Sequence, residues 1–248
     1  MSVHWQCYPD ARAAAEASAR HIVALLDNGQ AHASLAVSGG STPKLLFEAL
    51  AKSKLSWDRV HLFWVDERAV PPTDPQSNYK LAEESLIAPA GIPADNIHRI
   101  RAEIAPELAA KRYAEEIREF FGALPQFDVV QLGMGPDAHT ASLFPGEPLI
   151  EDRKGIAAAV FAQKVPRWRV TLLPGVLLAA RNTVFLVAGE DKAPAVRAVF
   201  SDSYDPQRLP AQIVQRDGRS VYWFLDGAAG RELLLLDPHA VERSMDKE

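Results

Sequence analysis

Gln131-Leu-Gly-Met-Gly-Pro-Asp-Ala-His-Thr-Ala-Ser142 is the stretch on which the reading of the fold turns. Ahead of it, the apolar run Phe127 to Leu132 has the length of a buried strand. Gly133, Gly135 and Pro136 then bend the chain sharply at its carboxyl end. In open α/β sheets, that edge of a strand is where ligands bind. The bend therefore presents a carboxylate, Asp137, and an imidazole, His139, at the mouth of a crevice. Imidazole is the side chain suited to moving protons near neutral pH. A surface loop with a capping Asp and an incidental His is the plainer reading, and the pair alone does not separate the two.

Upstream, Ala33 to Val37 reads as a short buried strand running into Ser38-Gly-Gly-Ser-Thr-Pro-Lys44 and then Leu45, Leu46, Phe47, Ala49 and Leu50 at helical spacing. Thr42 is a good N-cap and Pro43 suits the first helical position. Glycines let backbone approach a ligand closely, and free N–H groups at a helix start attract anions. The loop suits a phosphate group, although its spacing is neither a P-loop nor a dinucleotide fingerprint. A capped tight turn without a ligand is the alternative.

Between these two loops, Val60 to Val65 reads as a second strand ending in Asp66-Glu-Arg68. The three charges are expected to face the same crevice, with Arg68 able to hold an anion in a fork. A solvated cluster at a strand end is the bland reading. Ser77 caps a helix running through Leu86. Pro106 to Phe121 has the pattern of an amphipathic helix, with Leu108, Tyr113, Ile117, Phe120 and Phe121 on its buried stripe. Strands are read at Ala157 to Phe161, Asn182 to Val187 and Val221 to Leu225, with a short one at Ile97 to Ile100; Arg167 and Arg169 flank Trp168 in the stretch that follows Ala157 to Phe161. A helix fills Asp10 to Asp27 and closes near Asn28-Gly29. A last turn spans Asp226 to Gly230, and the tail beyond Leu236 is polar and expected to fray. Lys192 lies in the first turn of a helix, where the dipole disfavours a cation; either an anion binds beside it or it points to water.

Helices alternating with apolar strands argue for an α/β, Rossmann-like doubly wound sheet, mostly parallel, with helices on both faces. No linker or repeat interrupts the 248 residues, so residues 1–248 read as a single domain. A net charge of -5 gives no reason to expect nucleic acid or an acidic membrane as partner. One cysteine, Cys7, rules out a disulfide within the chain and fits the cytoplasm. No G-x-S-x-G elbow supports covalent catalysis, and no clustered His and Cys ligands suggest a metal.

Three motifs in register carry a resemblance: Ser38-Gly-Gly-Ser-Thr-Pro43; Asp66-Glu-Arg68 with Val70-Pro71 and Ser77-Asn78-Tyr79; and Gly133-Met-Gly-Pro-Asp-Ala-His-Thr-Ala-Ser-Leu-Phe-Pro145. From about Ala33 to Lys192 the chain resembles the 6-phosphogluconolactonases. Glucosamine-6-phosphate deaminases share the first and third motifs but usually lack the Arg-x-Val-Pro continuation. The resemblance implies hydrolysis of 6-phospho-D-glucono-1,5-lactone to 6-phosphogluconate, in the oxidative pentose phosphate pathway, without cofactor or metal. It implies that His139 is catalytic, beside Asp137. Gly39, Gly40, Ser41, Thr42, Arg169 and Lys192 would hold the phosphate, and Asp66 and Arg68 would line the lactone. A deaminase or isomerase on the same scaffold, or a sugar-phosphate sensor without chemistry, are the alternatives, and a homodimer is allowed. One departure stands out: Ala138 occupies a position where the resembling proteins usually have Gly. If that position needs a positive φ, alanine is strained there.

Overall fold

The computed structural model describes residues 2–27, 29–122, 125–163 and 167–235. Asn28 and the tail from 236, on which two of the expectations above fall, lie outside them. Ten strands are present among the described residues: β1 (Ser2–Tyr8), β2 (Ala33–Val37), β3 (Val60–Trp64), β4 (Asp66–Arg68), β5 (Ile97–His98), β6 (Val129–Leu132), β7 (Ala157–Ala162), β8 (Arg167–Leu172), β9 (Asn182–Val187) and β10 (Ser220–Asp226). Seven of them form one sheet in the order β1-β10-β9-β6-β2-β3-β5. Every pairing in it is parallel. β4, β8 and β7 form a separate antiparallel sheet.

The inner strands are apolar on both sides because both faces are covered. β2 is buried along its whole length, and so is β6. Alternation along β10 shows which helix lies where. Tyr222 and Phe224 meet His21 of the helix Ala11–Leu26, whereas Trp223, on the opposite face, meets Phe200 of the helix Ala193–Ser201. Phe185 stacks on Trp223 at 3.8 Å and continues that second layer. On the other flank, Phe63 of β3 collects Phe120, Phe121 and Phe127 in edge-on and tilted contacts.

The chain lays β2, β3 and β5 outward in one direction, then returns to place β6 on the other side of β2 and continues through β9 and β10. Strand order therefore reverses between β2 and β6. The crevice beyond the carboxyl ends of such a pair is the place for a ligand in this class of sheet. The loops that leave those two ends are Ser38–Thr42 and Gly133–His139.

Several elements differ from the sequence expectation. β1 was not expected: it is an edge strand, only partly buried and paired on one side, with β10. Asp66–Arg68 is not the end of β3 but a strand of the second sheet. Leu108 is 42% exposed and leaves the expected stripe of the helix Pro106–Phe121; Tyr113 and Ile117 are buried as expected, Phe120 and Phe121 are half-buried against the core, and Ala109, Ala110 and Ala114 fill the remaining inward positions. The turn expected at Asp226 to Gly230 is the start of a helix, Gly227–Leu234, N-capped by Asp226, whose Oδ1 accepts the Ala229 N–H at 2.7 Å.

Candidate active site

The helix after β2 begins at Ser41, with Gly40 rather than Thr42 as its N-cap. Gly40 has φ 124° and ψ -178°, a conformation open only to glycine. The helix thus starts two residues earlier than a threonine cap would allow. Ser41 and Thr42 become the first two helical residues, and their N–H groups have no acceptor within the helix. Pro43, third in the helix, has no N–H to satisfy. Gly39 is required for a different reason: a Cβ there would lie 1.8 Å from Asn78 Oδ1.

The second loop is a tight turn. Ala138 N–H donates to Gly135 O (3.0 Å), and Gly135 N–H donates to His139 O (2.9 Å). Pro136 and Asp137 occupy the corner, and Ala138 follows at φ 60°. The position does need a left-handed residue, and it holds a fully buried alanine. Such a conformation costs a non-glycine residue roughly 1–2 kcal/mol. The surrounding structure holds it, in part through Ala211 N–H, which donates to Ala138 O at 3.0 Å.

Asp137 both closes the turn and holds the imidazole. Its Oδ1 lies 3.3 Å from His139 N and 2.6 Å from His139 Nδ1. An ionised carboxylate only accepts, so Nδ1 carries the proton and Nε2 is the nitrogen with the free lone pair. The ring leans on Phe144 at 4.7 Å between centroids. On its other side, a Cβ on Gly135 would sit 2.1 Å from Cε1 and Nδ1. His139 is thus wedged among a carboxylate, an aromatic face and a glycine.

The Asp66-Glu-Arg68 motif divides by strand alternation. Asp66 and Arg68 face the crevice, whereas Glu67, between them, points the other way, so the expectation of three charges in one crevice is corrected to two. Glu67 is buried and accepts the N–H groups of Arg68 (2.7 Å), Asn78 (2.8 Å) and Tyr79 (2.8 Å), with the Ser77 hydroxyl at 3.0 Å. Burial pushes its carboxyl up, and those four donors oppose the rise. It serves the start of the helix Asn78–Ala82, as Ser77 does by accepting the Lys80 N–H. Asp66 is also buried and already engaged. Ser142 Oγ donates to its Oδ2 at 2.5 Å, Asn78 Nδ2 lies 3.3 Å from its Oδ1, and Arg169 Nη1 stands 3.7 Å from its Oδ2.

Arg68 and Arg169 are directly opposite each other across the β4–β8 ladder. Like charges so placed repel. Arg68 Nη1 donates to Gln76 O (2.6 Å), but the Nε of Arg68 and the Nε of Arg169 are both buried with no partner. Burial, together with the guanidinium groups of Arg68 and Arg167, pulls Arg169 below its usual value, and Asp66 pulls the other way. Lys192 ends the short turn Glu190–Lys192 just before the helix Ala193–Ser201, and its ammonium pairs with neighbouring Asp191. Nevertheless it borders the same crevice.

One cavity therefore brings together Gly39, Gly40, Ser41, Thr42, Asp66, Arg68, His139, Arg169 and Lys192. Of the expected site residues only Asp137 stands behind its wall, through His139. Ser142 and its bond to Asp66 were missed. The signal available was a hydroxyl residue set among small residues just after the His, and spacing alone does not say what such a hydroxyl meets. Among the described residues no cluster of three or more His, Cys, Asp or Glu is arranged to hold a metal ion, and no helix is long and apolar enough to cross a membrane.

Comparison with known proteins agrees with the sequence resemblance. The family model described as glucosamine-6-phosphate isomerases/6-phosphogluconolactonase matches residues 9–223. A 6-phosphogluconolactonase of Nostoc sp. is 40% identical over 233 residues, covering 91% of this chain and 96% of that protein. The structure of 6-phosphogluconolactonase from Trypanosoma cruzi superposes with a TM-score of 0.85 at 25% identity, covering 94% of this chain and 97% of that one. A monomeric glucosamine-6-phosphate deaminase gives a TM-score of 0.81 at 18% identity, a likeness of fold alone. The chain belongs to the glucosamine-6-phosphate isomerase/6-phosphogluconolactonase family.

Proposed function

We propose that this protein hydrolyses 6-phospho-D-glucono-1,5-lactone to 6-phosphogluconate. The observation that carries the reading is that one crevice is lined by two unlike kinds of group. It holds two helix N–H groups with no acceptor in the helix and a cluster of cations with unpartnered donors. It also holds an imidazole oriented by a carboxylate. The first suits a phosphate dianion. The second suits activation of water.

In this reading the Ser41 and Thr42 amides, Arg169 and Lys192 hold the phosphate, with Gly39 and Gly40 letting the backbone approach. His139 Nε2 takes a proton from a water molecule as its oxygen adds to the lactone carbonyl carbon. The resulting oxyanion is stabilised by Arg68. As the intermediate collapses, the bond to the ring oxygen breaks, and the imidazolium returns its proton to that oxygen. The product is the open hydroxy acid, and no covalent enzyme intermediate forms. Asp137 keeps the proton on Nδ1 throughout. Asp66, held by Ser142 and Asn78, fixes Arg169 in place. That engagement favours hydrolysis over isomerisation or deamination, which needs a carboxylate free to move a carbon-bound proton.

The test is a coupled assay of lactone loss at mildly acidic pH, run beside an ammonia assay with glucosamine 6-phosphate. Lactone turnover well above the spontaneous rate, without ammonia release, is expected; ammonia release, or no turnover of either, would reject the reading. Asp137→Asn removes control of the tautomer and is expected to lower kcat about 10²-fold or more with little change in KM. Unchanged kcat would show that Asp137 only closes the turn. Lys192→Ala removes one charge-assisted contact, so KM should rise roughly ten- to a hundredfold with kcat nearly kept. Inhibition by inorganic phosphate as strong as in the unmodified protein would count against that role.

A further inference from the structure

The strands that bound the crevice are barely zipped together. β2 and β6 pair over two residue pairs only, Leu35 with Val129 and Ala36 with Val130. On either side of this short ladder a side chain replaces the backbone. At the amino-terminal side, Asp128 Oδ2 accepts from Ser34 N (2.9 Å) and Ser34 Oγ (2.8 Å). At the carboxyl side, where the crevice opens, the tie is Gln131. It is a long amide in the middle of an apolar strand, with 0% exposure. Its Oε1 accepts the Ser38 N–H at 3.0 Å, and its Nε2 donates to Leu132 O at 3.0 Å. Ser38 Oγ returns a bond to Gln131 O at 3.1 Å.

Ser38 is the root of the anion loop, two residues before Gly40. Leu132 is the last residue before the turn that carries His139, and the next carbonyl, Gly133 O, accepts Thr140 Oγ1 at 2.9 Å. One side chain therefore joins the base of one loop to the base of the other, where the backbones have separated too far to pair. Gln131 does not line the cavity.

We infer that Gln131 is a positioning residue that sets the separation between the anion cradle and the imidazole, acting through Ser38 N–H and Leu132 O. The inference rests on the hydrolase reading above. Gln131→Met keeps the length of the side chain but strands a buried N–H and a buried C=O. The two loops then settle in a different relation, each still intact. Misplacement of reacting groups by about 1 Å costs roughly 10²-fold in rate.

The experiment measures lactone turnover together with calorimetric binding of 6-phosphogluconate, so that rate is expressed per binding site. For Gln131→Met, kcat per site is expected to fall about 10- to 100-fold, with 6-phosphogluconate bound at full stoichiometry and near-normal affinity. Unchanged kcat per site would overturn the inference. So would a loss of binding sites in proportion to activity, because that is the signature of a residue that only supports the fold. Gln131→Glu provides the second arm should the first variant not fold. Protonated in its buried site, the carboxylic acid offers the same acceptor and one donor; once ionised it offers acceptors only. Its kcat relative to the unmodified protein at the same pH should approach parity at mildly acidic pH and decline as pH rises. A ratio that stays at parity across the range would overturn the assignment. The unmodified protein, assayed alongside, separates the two claims: absence of its turnover strikes the hydrolase reading, whereas a deficit confined to the variants concerns Gln131.

Discussion

Replacing His139 with alanine is expected to lower turnover of the phosphorylated lactone by a factor of about 10²–10⁴, the range for loss of a positioned general base. Affinity for 6-phosphogluconate should change little. The reason lies in the division of the crevice. The proposed binding donors belong to the first helical turn after β2, to the β4–β8 ladder and to the short turn Glu190–Lys192. His139 is held by Asp137 Oδ1 at 2.6 Å and by Phe144, both downstream of β6. Removing the ring opens space beside Phe144 without unpinning the anion loop. The measurement is kcat and KM of the variant, corrected for spontaneous hydrolysis. Near-normal kcat would remove His139 from the mechanism. A collapse of 6-phosphogluconate binding instead would mean that the imidazole holds ligand rather than moves protons.

Gly135→Ala should have an effect of similar size by a different route. The added methyl would lie 2.1 Å from the His139 ring and 2.9 Å from Asp137 Oδ1. What must move is a side chain, so the main cost is not to the fold. The ring swings, its bond to Asp137 breaks, and Nε2 leaves its place. A shift of about 1 Å at the reacting group is enough for a loss of roughly 10² in kcat. The melting temperature should fall by no more than a few degrees, and KM should hold. Activity close to the unmodified protein would show that the imidazole needs no fixed seat. Unfolding of the variant would show that the turn itself, rather than the ring, depends on this glycine.

Both loops of the crevice are legible in the sequence, because their residues are ones that only special backbone explains. Gly39-Gly40 with its hydroxyls and proline announces a strand turning into a helix, and Gly133 and Gly135 announce a sharp bend after β6. The helix Pro106–Phe121 and the strand Asn182–Val187 coincide with their sequence reading residue for residue, since proline starts the one and an unbroken apolar run defines the other. What could not be read was set by partners distant in the chain. Glu67 looks like its neighbours Asp66 and Arg68 until the strand pairing with β8 fixes which side faces the crevice. Thr42 has the right chemistry for an N-cap, but Gly40, at φ 124°, takes that position instead. Gln131 sits in a run that reads as core, and its purpose appears only when β2 is laid beside β6 and the ladder is seen to stop. Ser142 takes its meaning from Asp66, 76 residues away. Ala138 is the opposite case: a positive φ was the condition under which alanine would be strained, and the turn has it.

The central claim is spatial: a phosphate cradle and an oriented imidazole at opposite ends of a crevice opened between β2 and β6. A crystal structure of the protein with 6-phosphogluconate bound tests it most directly. The account predicts phosphate oxygens within hydrogen-bonding distance of the Ser41 and Thr42 amides, and the carboxylate carbon of the product beside His139 Nε2. A sugar lying the other way round, with its phosphate at His139, or seated outside this crevice, would contradict it.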